Sequence, residues 1–138
     1  MYPEEIVKPM REELTSLGFE ELKSLGEVDT AFNDKSGTTL LVINSVCGCA
    51  AGNARPGIRM ALQHNTLPDK LTTVFAGQDQ EATAQARNYL AGYPPSSPSM
   101  ALFKDGVLVH MIPRHQIEGR MPQQIAQELI EVFDTFCK

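Results

Sequence analysis

Two cysteines separated by a single glycine, Cys47 and Cys49, are the residues of this chain best suited to do chemistry. They follow an apolar run over residues 39–43, at the point where a helical pattern begins. The first turn of a helix offers unpaired N–H groups and a partial positive charge, and both stabilise a thiolate. Because the thiolate is the attacking form of cysteine, this position predicts thiol–disulfide exchange. Cys47, at the junction itself, is the predicted nucleophile.

The single-residue spacing bears on the kind of disulfide that forms. In a regular helix, side chains two residues apart point about 200° away from each other. A bridge between Cys47 and Cys49 therefore requires a local departure from helical geometry, and Gly48 supplies the freedom for it. The spacing favours a mixed disulfide with another thiol over a durable internal bridge.

A pair of cysteines can also bind metal, which is the main alternative to redox chemistry. A closed structural zinc site needs four ligands, and beyond the pair the chain offers only Cys137 and three histidines without a paired spacing. We therefore expect no bound metal, and a metal or cluster carrier using the three cysteines stays as an alternative hypothesis. Cys137 itself, near the end of an apolar-striped helix, is predicted to be inert, and His110 and His115 to be structural or exposed.

Two further segments offer candidate substrate contacts. Ser97 and Pro98 precede an apolar strand, and a cis peptide bond between them would expose the Ser97 backbone for pairing with an extended substrate. The alternative is an ordinary trans proline that ends a loop. Arg55 and Arg59 lie on the predicted helix after the thiols, where they would bind an anionic group of a small thiol or stabilise a thiolate, or would simply be solvated.

Length and charge limit the possible classes of protein. A chain of 138 residues is about one domain, and we predict a single domain over 1–138. The net charge of −5, with no stripe of basic residues, argues against a nucleic-acid partner. The acidic start has no apolar signal segment, and no run approaches the roughly 20 apolar residues of a membrane span. We expect a cytoplasmic protein without a membrane partner.

The hydrophobic periodicity predicts an α/β fold in which a central mixed β-sheet is flanked by helices, with an extra helix at the N-terminus. A βαβ order indicates parallel strands, and Asp105-Gly106 between two apolar runs indicates a hairpin. The predicted helices cover 2–17, a short stretch around 28–32, the region from 50 to about 64 with a kink at Pro56, 79–90 and 121–136, and the predicted strands cover 19–22, 38–44, 71–76, 100–103 and 107–112.

These features together resemble a known family. The order of elements, the thiol pair after the central strand and Ser97-Pro98 before an apolar strand look like the thioredoxin fold. Residues 44–50, 77–83, 93–99 and 117–120 look more specifically like the bacilliredoxin family, and the resemblance covers nearly the whole chain.

The resemblance implies a role in bacteria that use the small thiol bacillithiol. Bacilliredoxins remove bacillithiol from S-bacillithiolated proteins, so Cys47 would be the nucleophile that accepts bacillithiol, Cys49 the second thiol and Pro98 the cis-proline beside them. Gly48, Ser97 and Arg55 are the accompanying substrate-binding candidates. Bacillithiol would be a co-substrate kept reduced by a flavoprotein reductase, with no bound cofactor. A general protein disulfide reductase or isomerase is the alternative within the redox class.

Overall fold

Strand β2 (Thr38–Asn44) is buried along its whole length. Its leucines and β-branched residues suit a strand that is covered on both faces, as the uninterrupted apolar run predicts. The computed structural model describes residues 1–138, and its other elements are α1 (Glu4–Thr15), β1 (Glu20–Glu21), α2 (Leu25–Asn33), a π-helical segment (Ala50–Ala54), α3 (Arg55–Ala61), β3 (Lys70–Phe75), α4 (Gln80–Asn88), β4 (Ser99–Lys104), β5 (Val107–Ile112), a 3₁₀ turn (Arg114–Gln116) and α5 (Pro122–Phe136).

The sheet is mixed, with the strand order β1-β3-β2-β4-β5. Strand β3 is parallel to both β1 and β2, while β4 is antiparallel to β2 and β5 antiparallel to β4. Asp105 and Gly106 both have positive φ in the turn between β4 and β5, as a two-residue hairpin requires. The predicted mixed sheet, parallel crossover and hairpin are confirmed.

Alternate residues of β2 face two separate hydrophobic clusters. Leu40 and Val42 pack on the side of α1, α3 and α5, and Leu41 and Ile43 pack on the side of α2 and α4. This alternation follows from the two-residue period of a strand. The sheet is therefore sandwiched between two helical layers, and the N-terminal helix α1 belongs to the first of them.

The helix that follows the thiols is held close to α5. A Cβ atom at Gly57 would lie 2.9 Å from Ile125 Cγ2 and 3.1 Å from the Pro122 carbonyl, so glycine allows the two helices to approach. Contact with α5, whose buried stripe fills the centre of its helical layer, fixes the orientation of α3. The packing of α3 on α5 therefore fixes the position of the turn that carries the cysteines.

The predicted kink at Pro56 takes a different form. The chain widens into π-helical geometry over Ala50–Ala54, immediately before Pro56, and regular helix runs only to Ala61. Proline lacks an N–H and its ring clashes with the carbonyl four residues earlier, and a wider turn relieves that clash. The 3₁₀ turn at Arg114–Gln116 was not predicted. None of the helices combines the length and the apolar character that crossing a membrane demands.

Candidate active site

Cys47 lies just beyond the carboxyl end of β2, where the chain turns into a helix. Its N–H donates to Ser45 Oγ at 3.2 Å, and its carbonyl accepts from the N–H groups of Ala50 at 2.9 Å and Ala51 at 3.2 Å. Helical geometry begins at Gly48. Cys47 therefore occupies the position at which a helix N-terminus presents its free N–H groups.

The two sulfurs are much closer than regular helical geometry allows. Cys47 Sγ lies 3.0 Å from Cys49 Sγ, and the Cys49 N–H donates to Cys47 Sγ at 3.4 Å. The departure from regular helical geometry that a bridge requires is present, because Cys47 precedes the helix and is not part of it. Gly48 does not adopt a left-handed conformation, and a Cβ atom there would meet nothing within 4 Å. The approach of the sulfurs thus does not use glycine's conformational freedom.

The two thiols have opposite electrostatic environments. The pKa of Cys47 is lowered, first by the hydrogen bond from the Cys49 thiol, then by the Cys49 N–H, with a further contribution from the positive charge of Arg114. The pKa of Cys49 is raised by the neighbouring Cys47 sulfur and by burial. Cys49 also packs against the hydrophobic cluster below it. At this site a thiolate forms first on Cys47, while Cys49 stays protonated.

Ser97 and Pro98 are brought to the same end of the sheet. The peptide bond between them is cis, Pro98 is buried and Ser97 is half-buried. The Ser97 carbonyl accepts a hydrogen bond from Arg114 Nη1 at 3.2 Å. Ser97 lines the same cleft as Cys47, whereas Pro98 does not reach the lining.

Arg55 is placed differently from the expectation. Its side chain is only 2% exposed, and Nη1 donates to Asn44 Oδ1 and to the Ser45 carbonyl, each at 2.9 Å. Its Nε lies 3.2 Å from Glu13 Oε1, as an ion pair that lacks hydrogen-bond alignment. Arg55 is therefore a positioning residue beneath the Ser45 loop, since a guanidinium buried in this way has no surface to offer a substrate. Arg59 is exposed on α3 and does not line the cleft.

Two other arginines line the cleft beside Cys47. The cleft has a volume of about 430 Å³, and its walls include Tyr2, Cys47, Gly77, Arg87, Ser97 and Arg114. A larger hollow of about 560 Å³ along α5 has no nucleophile in its lining, so the cleft at Cys47 is the candidate active site.

Arg114 and Arg87 were not found by sequence reasoning. Arg114 follows β5, which runs in the same direction as β2 because each is antiparallel to β4. The carboxyl ends of β2 and β5 therefore meet at one edge of the sheet. The position of Arg114 directly after β5 was therefore a signal that could have pointed to it from the predicted sheet. No comparable signal points to Arg87, which reaches the cleft from the far end of α4.

The remaining predicted residues lie away from the cleft. Cys137 is half-buried after α5, and burial raises the pKa of its thiol. His110 Nε2 lies 2.7 Å from Glu128 Oε2, and His115 is exposed. No group of three or more histidine, cysteine, aspartate or glutamate side chains is arranged to hold a metal ion.

Among the solved structures with a similar architecture are thioredoxins. Thioredoxin O2 from Arabidopsis thaliana in its oxidised state superposes with a TM-score of 0.56 at 20% identity, covering 89% of this chain and 97% of that one. The oxidised thioredoxin of Plasmodium falciparum gives a TM-score of 0.54 at 13% identity, covering 88% and 100%. At such identities the likeness shows the fold alone. The chain therefore has a thioredoxin-like fold, with the cysteine pair at the head of a helix and a cis-proline at the same end of the sheet.

Similarity at the sequence level is more specific. Residues 2–137 match the family model described as disulphide isomerase. A bacilliredoxin of Cytophaga hutchinsonii is 57% identical, covering 97% of this chain and 98% of the relative, and one of Koribacter versatilis is 55% identical, covering 99% and 94%. The chain belongs to the bacilliredoxin family and is a thiol–disulfide oxidoreductase. Its partners are therefore other molecules that take part in thiol redox chemistry.

Proposed function

We propose that this protein removes bacillithiol from S-bacillithiolated proteins, with Cys47 as the nucleophile. The observation that carries the proposal is the asymmetry of the cysteine pair. Cys47 has a lowered pKa and lines a cleft. Cys49 has a raised pKa and does not line the cleft, and its Sγ lies 3.0 Å from Cys47 Sγ. One sulfur is therefore ready to attack while the other remains a thiol.

The first step is a simple exchange of one disulfide for another. The Cys47 thiolate attacks the bacillithiol sulfur of the mixed disulfide in line with its S–S bond. A new bond forms between Cys47 and bacillithiol, the old bond breaks, and the client cysteine leaves as a thiolate that takes a proton from water. One disulfide is consumed and one is formed, so this step needs no metal or resident cofactor.

The residues around Cys47 supply the contacts with the client. Gly48 is exposed and carries no side chain, which leaves the approach to the Cys47 sulfur open. Ser97 forms part of the adjacent wall, and the cis bond to the buried Pro98 sets the direction of its backbone, which would pair with an extended client segment. Arg55 contributes indirectly, because its bonds to Asn44 and Ser45 hold the loop that leads to Cys47.

Two routes regenerate Cys47. A second bacillithiol molecule would attack the adduct, giving bacillithiol disulfide that a flavoprotein reductase returns to the thiol. Alternatively, Cys49 would attack Cys47, releasing bacillithiol and leaving an internal disulfide, which a dithiol reductant would open. Because either route depends on a supply of reduced thiols, we propose a cytoplasmic location for the protein.

The test is the fate of bacillithiol on a model protein that carries it on one exposed cysteine. With Cys49→Ser, we expect release of the model protein and accumulation of an adduct of bacillithiol mass on Cys47, detected by intact-protein mass spectrometry. With Cys47→Ser, we expect no release above the uncatalysed rate. Full activity of Cys47→Ser would contradict the assignment of the nucleophile.

A second candidate within the same class is a general disulfide reductase or isomerase. It is favoured by the 3.0 Å separation of the sulfurs, which puts an internal disulfide within reach, and by the description of the matching family model. Rates on a bacillithiol-blocked protein, a glutathione-blocked protein and a protein with an intramolecular disulfide separate the two. De-bacillithiolation requires a clear preference for the first substrate, and equal rates on all three would favour the general enzyme.

A further inference from the structure

Arg87 is a cation without a counter-charge. Its Nε is buried and has no hydrogen-bond partner, and its Nη2 makes only a long contact of 3.5 Å with the Ser96 carbonyl. The other buried or half-buried arginines each pair with a carboxylate: Arg11, Arg55, Arg114 and Arg120. Removing a cation from water without a compensating anion is costly, and burial accordingly lowers the pKa of Arg87.

Arg114 brings a second positive charge to the same cleft. Its Nε pairs with Glu118 and its Nη1 donates to the Ser97 carbonyl, which leaves Nη2 without a protein partner. Glu118 is exposed and does not line the cleft, and no other aspartate or glutamate does. The chain as a whole has a net charge of −5. The lining of this cleft, by contrast, has two guanidinium groups and no carboxylate, so the cleft is positively charged.

The size and position of the cleft match a small ligand attached to Cys47. Its volume of about 430 Å³ lies within the roughly 300–1,000 Å³ of small-molecule pockets. Because Cys47 is part of the wall, a small thiol joined to its sulfur would lie between Arg87 on α4 and Arg114 beyond β5. Guanidinium groups bind carboxylates in a planar, two-pronged geometry that distinguishes them from neutral groups.

We propose that Arg87 and Arg114 form an anion subsite that binds the carboxylates of the small thiol as that thiol is transferred to Cys47. This inference rests on the proposed transfer of a small thiol, but it does not depend on that thiol being bacillithiol. The transfer itself is the exchange described above, in which the client leaves as a thiolate and the small thiol remains bonded to Cys47. The arginines form no covalent bond and select which thiol is accepted, and Arg114 in addition lowers the pKa of Cys47 for every substrate alike.

A simpler role for the arginines makes a different prediction. If they only stabilised the Cys47 thiolate, their removal would slow attack on every disulfide by the same factor. If they bind carboxylates of the transferred thiol, their removal would slow the reaction of anionic thiols more than that of neutral ones. The selectivity between substrates, and not the overall rate, is therefore the decisive measurement.

The experiment uses one model protein blocked on a single exposed cysteine with 2-mercaptoethanol, 3-mercaptopropionate or mercaptosuccinate. These thiols carry no carboxylate, one and two, respectively. Release of the free model protein gives kcat/KM for each, and division by the rate with dithiothreitol removes differences in intrinsic reactivity. For the unmodified enzyme we expect mercaptosuccinate to be preferred over 2-mercaptoethanol by at least about tenfold, because hydrogen bonds between charged groups are strong.

Arg87→Gln and Arg114→Gln should each lower this preference several-fold, and the double variant should abolish it. Arg59→Gln, which removes an exposed charge outside the cleft, is the matched control and should keep the preference. No preference in the unmodified enzyme, or an equal loss of rate on all three substrates in the variants, would overturn the subsite. The first of these results is decisive even if the variants fail to fold.

Failure of the proposed function gives a different pattern. If a bacillithiol-blocked protein is not released while the carboxylate preference is found, the subsite stands and bacillithiol is not its ligand. If bacillithiol is released efficiently and the synthetic series shows no preference, de-bacillithiolation stands and the subsite is refuted.

Discussion

The two ends of β2 hold two cysteines in opposite environments. Cys47 follows the carboxyl end of the strand, and Cys137 lies near Thr38 at the amino end, and both are half-buried. Hydrogen bonds from Cys49, together with the charge of Arg114, lower the pKa of Cys47, whereas burial raises the pKa of Cys137. The hydrogen bonds and charge around Cys47 thus favour its thiolate, and the burial of Cys137 disfavours one.

The ends of the helices on which the cysteines lie act in the same direction as these causes. Cys47 precedes the first helical turn and receives the Cys49 N–H, while Cys137 is the C-cap of α5 and its own N–H donates to the Phe133 carbonyl. A helix N-terminus carries partial positive charge and a C-terminus partial negative charge, so the first favours a thiolate and the second opposes it. Helix polarity therefore adds to the contrast made by the hydrogen bonds at Cys47 and the burial of Cys137.

The strongest way to break this comparison is to remove each thiol in turn. Cys47→Ser should lower the rate of disulfide exchange by roughly three orders of magnitude or more, because a serine hydroxyl cannot replace the attacking thiolate. Cys137→Ser is the matched control and should change the rate less than twofold. Single-turnover release of a blocked model protein measures both rates. A large loss of activity in Cys137→Ser alone would show that Cys137, and not Cys47, is the reactive thiol.

The position of Cys47 was predictable because the apolar run of β2 must end where the chain leaves the sheet, and the next residues carry a helical pattern. The parallel pairing of β2 with β3 followed from the βαβ pattern, and the β4–β5 hairpin followed from the Asp105-Gly106 turn. The burial of Arg55 was not predictable, because its partners Asn44 and Ser45 reveal themselves only once the loop is folded. Arg87 was missed for a related reason, since the cleft it lines is built from segments far apart in sequence.

The stability of the chain at the carboxyl end of β2 should depend on the buried guanidinium group of Arg55. Arg55→Met removes the donor to Asn44 and to the Ser45 carbonyl, and leaves the latter unpaired. We expect a loss of about 2 kcal/mol in the free energy of unfolding, below the 3–5 kcal/mol of a fully buried ion pair because Glu13 is partly exposed.

Urea denaturation measures this loss, and Arg59→Met on the exposed face of the same helix is the control, with an expected change within about 0.5 kcal/mol. If the two variants were equally stable, Arg55 would not anchor the loop. If Arg55→Met were destabilised and Cys47 kept its full reactivity, the anchor would serve the fold and not the nucleophile.

The finest test concerns the charge that favours the Cys47 thiolate. Arg114→Gln should raise the pKa of Cys47, since it removes one of the interactions that lower it, and the hydrogen bond and N–H from Cys49 should keep the pKa below that of an ordinary thiol. Alkylation by iodoacetamide, followed by mass spectrometry across a pH series, reports the thiolate directly. Because iodoacetamide is neutral, the result is independent of any anion binding in the cleft. Below the shifted pKa the variant should react several-fold more slowly at Cys47, since each tenfold loss of thiolate corresponds to one pH unit.

Cys137 in the same samples should be unaffected, because Arg114 is not among the charges that act on it. An unchanged pH profile at Cys47 would leave the helix N-terminus and Cys49 as the whole cause of the contrast between the two ends of β2.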